Sequence, residues 1–204
     1  MTLAGESGKQ PNLTTVLVIL GSGLILAHPC PGLGTVTPPQ PGQNILGIYF
    51  DFDYSQNCRT AEPGEYIGCF LVLTNATAAL VGGWECRVQI AGAVFSQFFP
   101  TGGAVDVGEG EDNFIVTLEP PLVVGRPVVL MGINILVDDD PVAYYVTASQ
   151  PSRLGMPAYQ EPDGPALPLN AATGSFDRPL AVINDECVTS QQSTTWGGVK
   201  NLYR

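Results

Sequence analysis

Between residues 44 and 148 the chain breaks into short runs in which apolar residues alternate with polar ones or follow each other directly. Successive side chains of a pleated strand point to opposite faces, so a period of two predicts β-strands here, where a helix would show a period near 3.6. The runs are ILGIYFDFDY at 45–54, EYIGCFLVLTN at 65–75, WECRVQIAG at 84–92, NFIVTLE at 113–119, RPVVLMGINILV at 126–137 and VAYYVTAS at 142–149. Their separators, such as Pro63-Gly64, Gly82-Gly83, Gly102-Gly103 and Pro120-Pro121, supply positive φ or remove a ladder donor. In the first run Asp51 and Asp53 alternate with Phe50, Phe52 and Tyr54, which predicts acids on one sheet face and aromatics on the other.

Residues 150–170 hold five prolines and no period, predicting an irregular connection, after which SFDRPLAVIN at 175–184 returns a last strand through Leu180, Val182 and Ile183. About seven strands result, with no internal repeat. They predict one all-β domain over 45–187, an immunoglobulin-like or jelly-roll β-sandwich.

The amino-terminal pattern differs. Residues 16–27, VLVILGSGLILA, form an apolar stretch preceded by Lys9, short for a membrane span and matched to the core of a signal peptide. Cleavage after Ala27 would leave a mature chain without a transmembrane span, secreted, periplasmic or held on the outer cell surface. The run HPCPGLGTVTPPQPGQN at 28–44 reads as an extended Pro/Gly-rich linker, and 188–204 as a short carboxy-terminal tail.

Composition sharpens this reading. With 24 Gly, 18 Pro and only 13% charged residues in 204, many strands and turns are favoured over long helices. The formal charge of −11 repels phosphate backbones, which excludes nucleic acid as a partner.

Five cysteines stand at 30, 58, 69, 86 and 187, with no C-x-x-C pair. In an exported chain the last four predict two disulfides. Cys58 and Cys69 flank a turn-rich stretch and are expected to pair, leaving Cys86 to tie an early strand to Cys187; Cys30 is then free, lipid-modified or intermolecular.

The ending W-G-G-V-K-N-L-Y-R at 196–204, the glycine-led strand GGWECRV and the leading secretion segment together resemble a group of secreted proteins of environmental bacteria with no assigned activity. That resemblance implies export and a sandwich and carries no chemistry.

The only histidine is His28, so Ser-His-Asp and Cys-His catalysis have no base, and zinc hydrolysis has no imidazole set. A carboxylate-dependent, glycosidase-like hydrolase is the alternative reading, with Asp51, Asp53, Glu85, Glu119 and the triplet 138–140 as its acids. Calcium is the one candidate cofactor. Asp51, Asp53, Ser55, Asn57 and Glu62 copy the oxygen spacing of an EF-hand loop, but Gln56 stands where the turn needs Gly and the flanks read as strand. Two acidic loops, Glu109, Glu111 and Asp112 in one and Asp138, Asp139 and Asp140 in the other, are the remaining cation candidates. Trp84, Tyr144 and Tyr145 are candidates to stack on a ligand, and Asn75-Ala76-Thr77 fits a glycosylation sequon. The function implied is a secreted, non-enzymatic binding or structural module whose partner is a glycan, a surface or a protein.

Overall fold

Strands dominate the computed structural model, which describes residues 39–186; Cys30, Cys187, the signal segment and the carboxy-terminal tail lie outside the described residues. The elements are β1 (Ile45–Tyr49), β2 (Cys58–Arg59), β3 (Tyr66–Thr74), β4 (Leu80–Ala91), β5 (Ala93–Pro100), β6 (Ala104–Asp106), β7 (Asn113–Val123), β8 (Val128–Val137), β9 (Val142–Thr147), β10 (Ala158–Gln160), β11 (Ala166–Pro168), β12 (Asn170–Ala171) and β13 (Ala181–Ile183). They form a two-sheet sandwich, as the alternation predicts. One sheet runs β12-β1-β3-β8-β5; the other runs β11-β10-β4-β9-β13-β2, with β7 also paired to β4 and β6 paired to β7. No helix among the described residues is long and apolar enough to cross a membrane.

The core lies between the sheets. Leu46, Ile48, Ile67, Leu71, Ile133 and Ile135 from the first sheet meet Trp84, Val88, Phe114, Val116, Tyr144 and Ile183 from the second, all buried. The register between β3 and β8 shifts at Leu71/Val72, where Leu130 is the extra residue in β8, and Leu130 and Met131 are buried in succession as a result.

Several sequence expectations are corrected. The strand expected over 45–54 ends at Tyr49, because the Asp51 carboxylate accepts hydrogen bonds from Ser55 N (2.9 Å), Ser55 Oγ (2.6 Å) and Gln56 N (2.9 Å) and folds 50–56 into a loop. Phe50 therefore turns into the core against Tyr144 and Phe52 out to solvent, so the aromatics do not share a face. Gly82 and Gly83 separate nothing: both sit inside β4, where an added Cβ would lie 2.6 Å from Pro162 N and 2.6 Å from Val116 O respectively, so glycine is what lets neighbouring backbone approach. Pro120 and Pro121 likewise lie inside β7.

The stretch 150–170 is not wholly irregular, since β10 pairs with β4 and with β11. The β5 strand, AVFSQFFP, has no counterpart among the runs read from sequence.

The linker expected to end at residue 44 ends earlier. The carbonyls of Gln40 and Gln43 accept from Asn170 Nδ2 at 3.1 and 2.9 Å, and Asn44 is buried. Asn44 Oδ1 accepts from Tyr159 OH (2.9 Å), Thr77 N (2.8 Å) and Thr77 Oγ1 (3.1 Å), while Tyr159 OH accepts from Thr77 N and Ala78 N. This network pins the start of β1 to the β3–β4 turn and to β10.

Candidate functional site

The five-stranded sheet carries no charged residue on any of its strands, in a chain of net charge −11. Its outward face is set by cross-strand register. Tyr66 of β3, Leu136 of β8 and Phe95 of β5 stand in one row; Gly68, Asn134 and Gln97 form the next; Phe70, Gly132 and Phe99 form the third. Residues directly opposite in a ladder share a face, so two aromatic rows flank a central row of one glycine and two amides.

Tyr66 is 72% exposed, Phe95 49% and Phe99 46%. Phe52, 80% exposed, reaches from the 50–56 loop onto Phe70, with ring centroids 5.1 Å apart. Gly68 and Gly132 keep the floor low: a Cβ on Gly68 would stand 3.3 Å from Asn134 Oδ1. The result is an aromatic shelf with two exposed amides, Gln97 and Asn134, at its centre.

Asp51 is the residue that displays Phe52. Desolvation opposes it, yet the Ser55 hydroxyl and the Gln56 and Ser55 amides hold its carboxyl below the usual carboxylate range. An ionised Asp51 accepts all three bonds, so the loop is set wherever the carboxylate is charged.

The residues singled out from sequence lie elsewhere. Trp84 and Tyr144 are core side chains, 3% and 0% exposed, and cannot stack on a ligand; Tyr144 is held in the centre, its hydroxyl against the Cys69 thiol. Tyr145 is half-buried on β9, in the other sheet. Trp84 falls in the stretch of β4 that is buried on both faces, whereas β9 alternates and turns Tyr144 to the core and Tyr145 to the other face.

The two disulfides expected do not form in that pairing. Cys69 and Cys86 are free and buried, on strands of opposite sheets, whereas Cys58 is disulfide-bonded and its partner is neither of them. Burial pushes the Cys69 thiol up to about 12 and raises Cys86 as well, so both stay protonated.

Among the described residues no three His, Cys, Asp or Glu side chains converge as a metal ion requires, and the calcium candidates are dispersed. Asp112 pairs with Arg87 at 2.8 Å, leaving Glu109 and Glu111 without it, and Asp138, Asp139 and Asp140 are exposed in the β8–β9 turn. Asp51 is committed to its own loop. The hydrolase acids do not share a cleft either: Asp53 and Glu119 are exposed on separate elements, and Glu85 is buried on β4, its Oε1 accepting from Ser152 Oγ (3.1 Å) and Arg153 N (2.8 Å). A groove of about 450 Å³ brings Glu85 and Glu109 to one wall, but Glu85 is there as an anchor for the 151–157 loop. Asn75 of the sequon donates to Gly42 O at 3.1 Å.

The aromatic shelf was missed because β5 was. A signal was present: AVFSQFFP is uncharged, and its Phe95, Gln97 and Phe99 fall at period two.

No protein-family model matches the chain, and no curated protein does. Among solved structures it is similar to the sixth cohesin of scaffoldin B from Acetivibrio cellulolyticus, at 9% identity, TM-score 0.47, covering 71% of this chain and 99% of that one. It is similar also to the second type II cohesin module of the adaptor scaffoldin ScaA of the same organism, at 13% identity, TM-score 0.45, covering 76% and 96%. A third is CaCohA2 from Clostridium acetobutylicum, at 10% identity, TM-score 0.40, covering 73% and 92%. At these identities and scores the likeness extends no further than a two-sheet β architecture.

Proposed function

We propose that this chain is an exported, non-enzymatic binding module that engages a protein surface through the aromatic shelf of its five-stranded sheet. The observation that carries this is the uncharged outward face. Four exposed aromatic side chains gather on one sheet while every carboxylate of the chain lies outside that sheet's strands. Monomeric surfaces rarely expose contiguous apolar patches beyond a few hundred Å², and larger ones mark recognition sites. Aromatic anchors around a central polar pair are the composition of an interface core, where rigid rings bring contact area at low entropic cost and amides fix register.

Export is supported by the apolar run at 16–27 and the Pro/Gly-rich residues after it. A phenylalanine-rich shelf favours protein over glycan, because a sugar's hydroxyls need more hydrogen-bonding partners than Gln97 and Asn134 supply.

The test is a photo-crosslinking amino acid at Asn134, with a control at Tyr145 on the other sheet, in the full chain expressed in its natural host. Protein adducts at Asn134 that vanish when Tyr66 and Phe99 are changed to Ser support the reading. Equal adducts at both positions, adducts that survive the double substitution, or binding on a glycan array that the substitution abolishes would each overturn it.

A further inference from the structure

The free edge of β5 is a second surface, distinct from the shelf it borders. Its pairing parity follows from one bond: Thr101 N donates to Leu130 O at 3.0 Å, one step beyond the Pro100·Met131 pair. Hydrogen-bonded and non-bonded pairs alternate along an antiparallel ladder, so Phe95, Gln97 and Phe99 bond to β8 while Ser96, Phe98 and Pro100 turn their backbone groups away from it. Pro100 fits that parity, since its missing N–H falls on the open side.

Among the described residues no strand pairs with that side. The side looks into a trough of about 610 Å³ between β5 and the β6–β7 region. An edge strand without a covering element is normally blunted by Lys, by other charges, by Pro or by a bulge. Here the register shift at Val94 and Pro100 blunt only the two ends, no residue from Phe95 to Pro100 is charged, and the carboxylates nearest the edge, Asp106 and Glu111, line the trough from the β6–β7 region.

We infer that β5 is a self-association edge, and that a second copy of this chain adds its own β5 antiparallel about a two-fold axis at Gln97. This register satisfies three conditions together. Ser96 opposes Phe98 of the second copy, and both have outward backbone groups, so each such pair exchanges two hydrogen bonds. Phe95 opposes Phe99 of the second copy on the shelf face, in the closely spaced non-bonded pairs where side chains meet best. Gln97 opposes Gln97 of the second copy, and the two amides can bond to each other on the axis. Shifting the axis to Ser96 or Phe98 loses the Phe95–Phe99 match; Pro100, which has no N–H to return, falls opposite Val94 at the bulged end when the axis is Gln97, but opposite Ser96 inside the regular ladder when it is Phe98. A two-fold contact of this kind is closed, so pairing stops at two copies and joins two shelves into one continuous uncharged face.

The test uses the full chain in analytical ultracentrifugation over a range of concentration and salt, with three variants. The parent chain is expected to show a mass that doubles with concentration, more readily in higher salt because like charge between copies is screened. Gln97→Cys is expected to form a covalent dimer under mild oxidation beyond what the parent's own cysteines give, since Cα atoms of a non-bonded pair stand about 4.5 Å apart, within disulfide reach. Ser96→Pro is expected to lose the dimer while keeping its far-ultraviolet spectrum, because the N–H it removes does not serve β8; Gln97→Lys, which sets two charges on the axis, should lose it too and replaces the proline variant should that one misfold. A parent chain that stays monomeric at every concentration and salt overturns the inference. So does a dimer that survives both Ser96→Pro and Gln97→Lys, or one in which Gln97→Cys does not crosslink.

Discussion

Individual side chains in this protein are held by a few buried polar commitments whose loss has calculable direction. Asn44 is buried and its side-chain carbonyl accepts three hydrogen bonds; Asn44→Ala takes away the acceptor of the Tyr159 hydroxyl proton and leaves the Thr77 amide only its 3.1 Å bond to Tyr159 OH. Leaving a buried donor unsatisfied costs about 1–3 kcal/mol, and urea denaturation of Asn44→Ala should show a loss of that order with an unchanged slope. The buried thiols act on pH. Cys69 and Cys86 have pKa values raised above the ordinary 9.0 by burial, and Tyr144 is raised too. A raised folded pKa contributes stability that is whole below the unfolded value and is lost as pH climbs toward the folded one. Thermal stability should therefore decline above about pH 9, and less steeply in Cys86→Ala. In the native chain without reduction, alkylating reagents should label neither Cys69 nor Cys86, while denaturant should expose both.

At the scale of elements, close backbone approach decides where strands run. A side chain at Gly83 would meet the Val116 carbonyl of the paired strand at 2.6 Å, so Gly83→Val should force β4 and β7 apart. Overpacking of this kind costs roughly 1–3 kcal/mol, and hydrogen exchange at Val116 and Thr117 should accelerate first. The 50–56 loop depends on an ionised Asp51 whose pKa is lowered, so its order is present above the ordinary carboxylate value and is lost as pH falls through the lower folded one. Asp51→Asn should reproduce the acid behaviour at neutral pH, seen as faster exchange of the Ser55 and Gln56 amides and as weaker contributions from Phe52 to binding.

For the whole molecule, the sandwich puts its core and its aromatic shelf on opposite faces of the five-stranded sheet. The core is closed by residues between the sheets, whereas Tyr66, Phe95 and Phe99 stand on the solvent side of β3 and β5. Surface substitutions away from buried features usually stay within about 0.5 kcal/mol. The pair Tyr66→Ser with Phe99→Ser should leave the unfolding midpoint close to the parent while removing crosslinks at Asn134, a split that a structural role for these aromatics would not give.

Local pattern determined a good part of this fold. Period-two runs such as YIGCFLVL and VVLMGINIL became β3 and β8 because alternation, β-branched residues and flanking turns all favour one local conformation, and the two-layer architecture follows from needing to bury one face of each. What a residue's neighbours are across a sheet is not local, and there the reading from sequence stopped. Gly82-Gly83 has the composition of a turn, but packing against Pro162 and Val116 makes it strand; Asp51 has the spacing of a cation ligand, but its nearest donors are Ser55 and Gln56. Trp84 and Tyr66 are both aromatic residues in strands, and only the stacking of one sheet on the other decides that the first is core and the second is shelf. The uncharged composition of β5 could be read from the chain alone, whereas its place at the edge, and so the direction of its free backbone groups, depended on which strand it paired with.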